Sequence, residues 1–133
     1  MRIPTTLSIV LGTVLVVAAG VGSLVLLKNI LEPKEAVSEQ NVEIRDGIQY
    51  VTIKARGGYS PRQSRAQANI PTRLIVKTNG TYDCSLALVI RSIGYQKILS
   101  QTGEEVIDLG NPSPGTLQGL CSMGMYSFAI AFE

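Results

Sequence analysis

Val42-Glu43-Ile44-Arg45-Asp46-Gly47-Ile48-Gln49-Tyr50-Val51-Thr52-Ile53-Lys54-Ala55 decides the class of fold. Val42 to Arg45 alternates apolar and charged side chains, and Ile48 to Ala55 alternates again with β-branched and aromatic residues. A period of two places successive side chains on opposite faces of a strand. Asp46-Gly47 between the two runs is a hairpin dipeptide, because both central positions of a tight hairpin turn favour residues that tolerate positive φ. Working outward, Arg73 to Thr78 (RLIVKT) reads as a strand ended by Asn79-Gly80. Cys84 to Ile90 (CSLALVI) is a nearly unbroken apolar run and reads as a strand covered on both faces. Tyr95 to Leu99, Glu105 to Leu109 and Ser127 to Phe132 complete the set, with Phe128, Ile130 and Phe132 alternating into the core. Gly57-Gly58, Ser60-Pro61 and Asn111-Pro112-Ser113-Pro114-Gly115 punctuate the chain. About seven short strands separated by turn signals predict an all-β fold, an antiparallel β-sandwich over residues 42–133.

The 133-residue chain opens differently. No charge falls between Ile3 and Leu27, and residues 7–27 are nearly all Leu, Val, Ile, Ala and Gly. As a helix that stretch would extend about 31 Å, the thickness of a bilayer's hydrocarbon core. It predicts one N-terminal transmembrane helix after a short segment, 1–6. The alternative is a cleaved secretory signal: Ala18-Ala19-Gly20 offers a small-residue site, although the apolar run continues past it. Residues 28–41, with the polar stretch Glu32 to Asn41, read as a linker. Arg2 on one side and Lys28 and Lys34 on the other do not set an orientation. A single N-terminal span followed by strands places the domain on the extracytoplasmic side of the cell membrane.

Twelve Lys and Arg against ten Asp and Glu leave a net charge of +2, too balanced for a nucleic-acid partner. Lys54, Arg56, Arg62, Arg65, Arg73 and Lys77 fall in a stretch without acids between Asp46 and Asp83. Strand alternation is expected to scatter them over a solvated surface.

The chain has two cysteines and no histidine. Cys121-Ser122-Met123-Gly124-Met125 places one thiol and two thioethers at i, i+2 and i+4, and Cys84 supplies the second thiol. If the segment is extended, its sulfurs share a face; if it loops, small Ser122 and Gly124 let them converge. Thiolates and thioethers are soft donors that suit Cu(I), and a chain without imidazole lacks the ligands of most other transition-metal sites. Two cysteines alone do not furnish the four ligands zinc prefers. The competing reading is a structural Cys84–Cys121 disulfide in an exported, non-enzymatic module, closing a loop of about 37 residues and contributing about 3–4 kcal/mol. An enzyme is not expected, because no recognisable acid–base or nucleophile arrangement is present.

Several stretches together resemble a known family. Gly58-Tyr59-Ser60-Pro61, Arg73-Leu74-Ile75-Val76, Asp83-Cys84 leading to Ser92-Ile93-Gly94, and Cys121-Ser122-Met123-Gly124-Met125 are similar to the cupredoxin-like domains of the EfeO type. Within them, the likeness is to the membrane-anchored, CupA-like copper proteins of bacterial resistance systems. It covers about Gly57 to Glu133, with the apolar span and linker matching in arrangement. The resemblance implies a Greek-key β-sandwich and a metal site of Cys84, Cys121, Met123 and Met125 that holds one or two Cu(I) ions. The cysteines would bridge the tighter position and the methionines serve the looser one. It also implies a copper chaperone, handing the ion to an exporting P-type ATPase. In blue copper proteins two histidines and a cysteine hold the metal; here Cys84 and Met123 would stand in the histidine positions, and redox cycling is not expected. Two departures stand out: Gly115 to Leu120 (GTLQGL) lacks the aromatics of the family's G-x-Y-x-F pattern, and Ala68-Asn69-Ile70-Pro71 replaces a glycine turn.

Overall fold

The computed structural model describes residues 38–133, which form two β-sheets facing one another. The expected transmembrane helix at 7–27 lies outside the described residues, as does most of the linker. Among the described residues, no helix is long and apolar enough to cross a membrane. Ser38 and Asn41, at the end of the expected linker, are bonded onto the sandwich. The Ser38 N–H donates to the Gln63 carbonyl at 2.9 Å, and Asn41 Nδ2 donates to Ser64 Oγ at 2.8 Å.

Ten strands are present among the described residues: β1 (Val42–Arg45), β2 (Ile48–Ala55), β3 (Tyr59–Ser60), β4 (Gln63–Ala66), β5 (Thr72–Thr78), β6 (Ala87–Ile90), β7 (Tyr95–Ile98), β8 (Gly103–Gly110), β9 (Gly115–Cys121) and β10 (Ser127–Phe132). One sheet runs β1-β2-β5-β8 with β3 paired to β2, and the other β4-β10-β9-β6-β7. The β1–β2 hairpin turns at Asp46 and Gly47, whose φ values are +51° and +76°. Alternation then sets the core. Val51, Ile53 and Ala55 of β2, Leu74 and Val76 of β5, Leu88 and Ile90 of β6, and Phe128, Ile130 and Phe132 of β10 are buried between the sheets.

Two expectations need correction. The sheets are mixed rather than antiparallel, because β2 pairs with β5 and β4 with β10 in parallel. The chain leaves β2, crosses to the second sheet for β4, and returns to lay β5 beside β2. A local period of two carries no information about that partner. Second, Cys84 to Ile90 is not one strand: Cys84–Leu86 is a 3-10 turn, and β6 begins at Ala87. Asp83 starts the turn as a helix cap, its side chain accepting from the Ser85 N–H. The six cations from Lys54 to Lys77 are all exposed, on both sheets and the loops between them, as a solvated surface requires. Parallel pairing sets Lys54 beside Lys77, with Arg73 on the same outward face. Lys77 is paired with Glu104 at 3.1 Å, and Arg65 reaches Glu133 at 3.3 Å.

At one edge the two sheets are clipped by side chains. Glu105 of β8 accepts a hydrogen bond from Tyr95 Oη at 3.0 Å and an ion pair from Lys97 Nζ at 2.9 Å, both from β7. The Lys97 bond, against an opposing burial penalty, holds the Glu105 carboxyl below its ordinary value. Burial, reinforced by the bond to Glu105, pushes the Tyr95 phenol up to about 12.

Candidate metal centre

Three connections meet at one end of the sandwich: residues 56–58 after β2, residues 79–86 before β6, and residues 122–126 between β9 and β10. The first two are fastened together by Thr81, a fully buried residue whose hydroxyl donates to the Ala55 carbonyl at 2.6 Å. The third is a tight turn. Cys121 N–H donates to the Tyr126 carbonyl at 3.0 Å, and Gly124 N–H donates to the Cys121 carbonyl at 2.8 Å. Gly124 has φ +73°, a conformation that costs glycine little.

Cys121 ends β9 on its inward face and is fully buried. Its strand position is fixed by pairing with Leu88 of β6, and the Ser122 N–H donates to the Ala87 carbonyl at 2.8 Å. Cys84, half-buried, opens the 3-10 turn that leads into the same β6. The fold therefore delivers both sulfurs to one place from distant parts of the chain. The two sulfurs are near enough for each to shift the other's titration, and both residues are free cysteines.

Backbone donors crowd the pair. Tyr126 N–H points at Cys121 Sγ at 3.5 Å, and the N–H groups of Met125 and Met123 also favour the charged form of Cys121. Burial acts to raise the Cys121 pKa, yet the Cys84 side chain and the backbone donors outweigh it, and the net shift is downward. Cys84 moves the other way: the Cys121 side chain comes first, then desolvation, against one Met123 N–H that favours the thiolate. Of the pair, Cys121 is the more acidic thiol. Convergent backbone N–H groups make such a concavity hospitable to anionic sulfur.

Met123 and Met125 sit on the turn at 77% and 64% exposure. The segment is thus looped rather than extended, with the Cys121 side chain enclosed and both methionine side chains largely exposed. Among the described residues, no three His, Cys, Asp or Glu side chains gather into a metal-binding group. Any cation here would rest on two thiols and on sulfur or backbone atoms nearby.

The floor of the site was not legible as such in the sequence. Tyr59 is buried beneath it, donates from Oη to the Ser85 carbonyl at 3.0 Å, and meets Phe128 edge-on with ring centroids 5.1 Å apart. Burial, with the neighbouring Cys121, Cys84 and Asp83, raises the Tyr59 phenol far above its ordinary value, so it remains a neutral donor. Phe128 lies directly across from Gly119 of β9. A Cβ at Gly119 would stand 2.2 Å from Phe128 Cζ, so the missing side chain makes room for the ring. The departure at 115–120 has this physical content: the aromatic covering this point comes from β10, across the strand pair. Asn69 meets the other departure, supplying φ +62° where a glycine turn is usual.

Asp83 was also missed, although an Asp two residues before a Ser is a recognisable capping signal. Oδ1 accepts from the Ser85 N–H at 2.8 Å and from the Ser85 hydroxyl, and Oδ2 accepts from the Gly57 N–H at 2.7 Å. These bonds, the Ser85 hydroxyl first, hold its carboxyl below the ordinary range.

A family model described as a cupredoxin-like domain matches residues 16–130. Among solved structures, the chain is similar to the metal-binding domain of the Streptococcus pneumoniae D39 Cu(I)-exporting P-type ATPase CopA, determined with Cu(I). Identity is 20%, TM-score 0.65, and the match covers 75% of this chain and 98% of that one. It is equally similar to a copper binding protein solved by NMR in the apo form, at 20% identity and TM-score 0.65, covering 74% of this chain and 100% of that one. No curated protein sequence matches the chain. At this identity the structural likenesses speak for the fold: two facing sheets with the loops of one end brought together. The chain belongs to the cupredoxin-like domain family.

Proposed function

We propose that this chain is a non-enzymatic, membrane-tethered Cu(I)-binding protein that buffers reduced copper outside the cytoplasm or hands it to a copper-exporting P-type ATPase. The observation that carries the reading is the convergence of Cys84 and Cys121 at one end of the sandwich, beside a turn bearing Met123 and Met125. Two thiolates suit Cu(I), which accepts low coordination numbers, and a chain without histidine offers Cu(II) no imidazole. The similarity to a metal-binding domain solved with Cu(I) and to a copper binding protein is consistent with this.

On this reading Cys121 and Cys84 hold the tighter position. Met123 and Met125, on the solvent side, complete it or hold a second, looser ion. A thiol must lose its proton to ligate, so binding by the pair releases protons. The exposed thioethers are where an acceptor's ligands would first reach the ion. The apolar stretch at 7–27 supplies the tether, and the strands following it lie on the extracytoplasmic side.

The test is an anaerobic Cu(I) titration of the full chain against a competing chelator. Replacing both thiols, Cys84→Ser with Cys121→Ser, is expected to abolish tight binding while the fold persists. Unchanged affinity in the double variant would falsify the assignment.

A further inference from the structure

We infer that Asp83 is a positioning residue for the sulfur pair, holding the Cys84 turn and the Cys121 loop at a fixed separation before copper arrives. The inference rests on the proposed Cu(I) reading and concerns how this chain builds that site. Asp83 touches neither sulfur in the bonds it makes. Its Oδ1 takes the Ser85 N–H and hydroxyl, which orients the 3-10 turn carrying Cys84. Its Oδ2 takes the Gly57 N–H at 2.7 Å from a different connection.

That second bond leads on to Cys121. Gly57 and Gly58 hold φ values of +60° and +117°, closed by the Arg56 N–H on the Gly58 carbonyl at 2.9 Å. The Tyr126 ring lies against Gly58, where a Cβ would sit 3.4 Å from its Cδ1. Tyr126 in turn directs its N–H at Cys121 Sγ and accepts from the Cys121 N–H. A closed circuit results: Asp83, Gly57-Gly58, Tyr126, Cys121, Cys84 and back to Asp83. One carboxylate with two usable oxygens joins its two halves.

The same geometry separates positioning from folding. Without Asp83, the Cys84 turn is still held by Tyr59 Oη on the Ser85 carbonyl and by the Leu99 N–H on the Leu86 carbonyl at 2.8 Å. Cys121 still ends a paired strand. The sandwich should therefore stand while the spacing of the sulfurs relaxes.

Two full-chain variants discriminate. Asp83→Asn keeps one oxygen acceptor but loses the oxygen that takes Gly57, whereas Asp83→Glu keeps the charge and displaces both oxygens. Both are expected to weaken Cu(I) affinity roughly 10–100-fold, the range for groups that orient a metal's ligands, with stoichiometry unchanged. In the copper-free wild type the Gly57 amide should be protected from hydrogen exchange, and both substitutions should remove that protection. If Asp83→Glu binds copper as the wild type does while Asp83→Asn does not, charge rather than placement is at work and the inference is overturned. Wild-type affinity in both variants overturns it too, and so does failure of Asp83→Asn to fold. A wild type that binds no Cu(I) defeats the proposed function instead, and the Gly57 amide in copper-free protein still decides whether the circuit exists.

Discussion

Gly119→Ala probes the floor of the site with the smallest possible change. A Cβ there would lie 2.2 Å from Phe128 Cζ, 2.3 Å from Cε1 and 3.0 Å from Cε2. The nearest contact is about 1.3 Å inside the ~3.5 Å at which carbon atoms meet comfortably. Phe128 has little room to withdraw, being 1% exposed and seated edge-on against the buried Tyr59. Over-packing of this kind costs ~1–3 kcal/mol, and the blocked ring places this case at the upper end. Gly119 does not have positive φ, so alanine should recover ~0.4–1 kcal/mol through the unfolded chain. The net expectation is a loss of about 2 kcal/mol. For a domain of this size that lowers the thermal midpoint by roughly 8–16 °C. With a urea m-value near ~2 kcal/mol/M, the urea midpoint falls by about 1 M.

The clean assay is a urea double-mutant cycle with Phe128→Leu, whose shorter side chain leaves space for the added methyl. Gly119→Ala should cost much less in the Phe128→Leu background than in the wild type. Since Phe128 supports Tyr59, and Tyr59 holds the Ser85 carbonyl next to Cys84, the single variant should also weaken copper binding on the proposed reading. An unchanged or raised urea midpoint, or strict additivity in the cycle, refutes the reasoning.

Two further outcomes can be checked with little effort. The clip between β7 and β8 gives stability a defined pH dependence. Glu105 titrates below its ordinary 4.5 in the fold, so its contribution is present above pH 4.5 and fades as pH falls through the lower folded value. Tyr95 holds its proton more tightly when folded, so its contribution is present below pH 10 and is lost as pH rises towards about 12. Glu105→Gln should flatten the acid side of a stability–pH curve, and a curve that keeps its full acid slope counts against the clip. Half-exposure of Lys97 makes the effect small and weaker in salt. Separately, Met123 and Met125 are open to peroxide. Oxidation to sulfoxide, followed by reduction of the thiols, should lower the Cu(I) stoichiometry until a sulfoxide reductase restores it. Full stoichiometry after verified oxidation would remove the thioethers from the site.

What could be read from the sequence followed from side-chain alternation. β1, β2 and β10 occupy the expected residues, and Asp46-Gly47 turns the expected hairpin. β4 escaped because its inward positions are Ser64 and Ala66, small residues whose alternation with Gln63 and Arg65 is faint. β9 escaped because Thr116, Gln118 and two glycines disguise it, and one of those glycines is present for the sake of Phe128 on another strand. The 3-10 turn at Cys84 was hidden by an apolar run that owes its composition to burial rather than to strand geometry. At the site, the soft donor types were legible from composition, whereas the convergence of the two thiols was not. That convergence depends on Cys121 pairing with Leu88 near the start of β6, a relation between strands that no local pattern carries.

The opposite titration shifts of the two thiols bear on what the proposed site must do to take up copper. Cys121 is buried without its sulfur becoming a stubborn thiol, because the turn above it aims backbone N–H groups at that sulfur. Cys84 keeps its proton longer, because the neighbouring Cys121 side chain and then desolvation raise its pKa. Cys84 and Cys121 would hold Cu(I) as thiolates, releasing their remaining protons, and the N–H groups aimed at Cys121 would go on stabilising charge on its sulfur. By that argument the apparent Cu(I) affinity should rise with pH for as long as Cys84 remains protonated and level off once it ionises. An affinity independent of pH across that range would mean that copper does not displace the Cys84 proton, and that the two thiols do not act as one site.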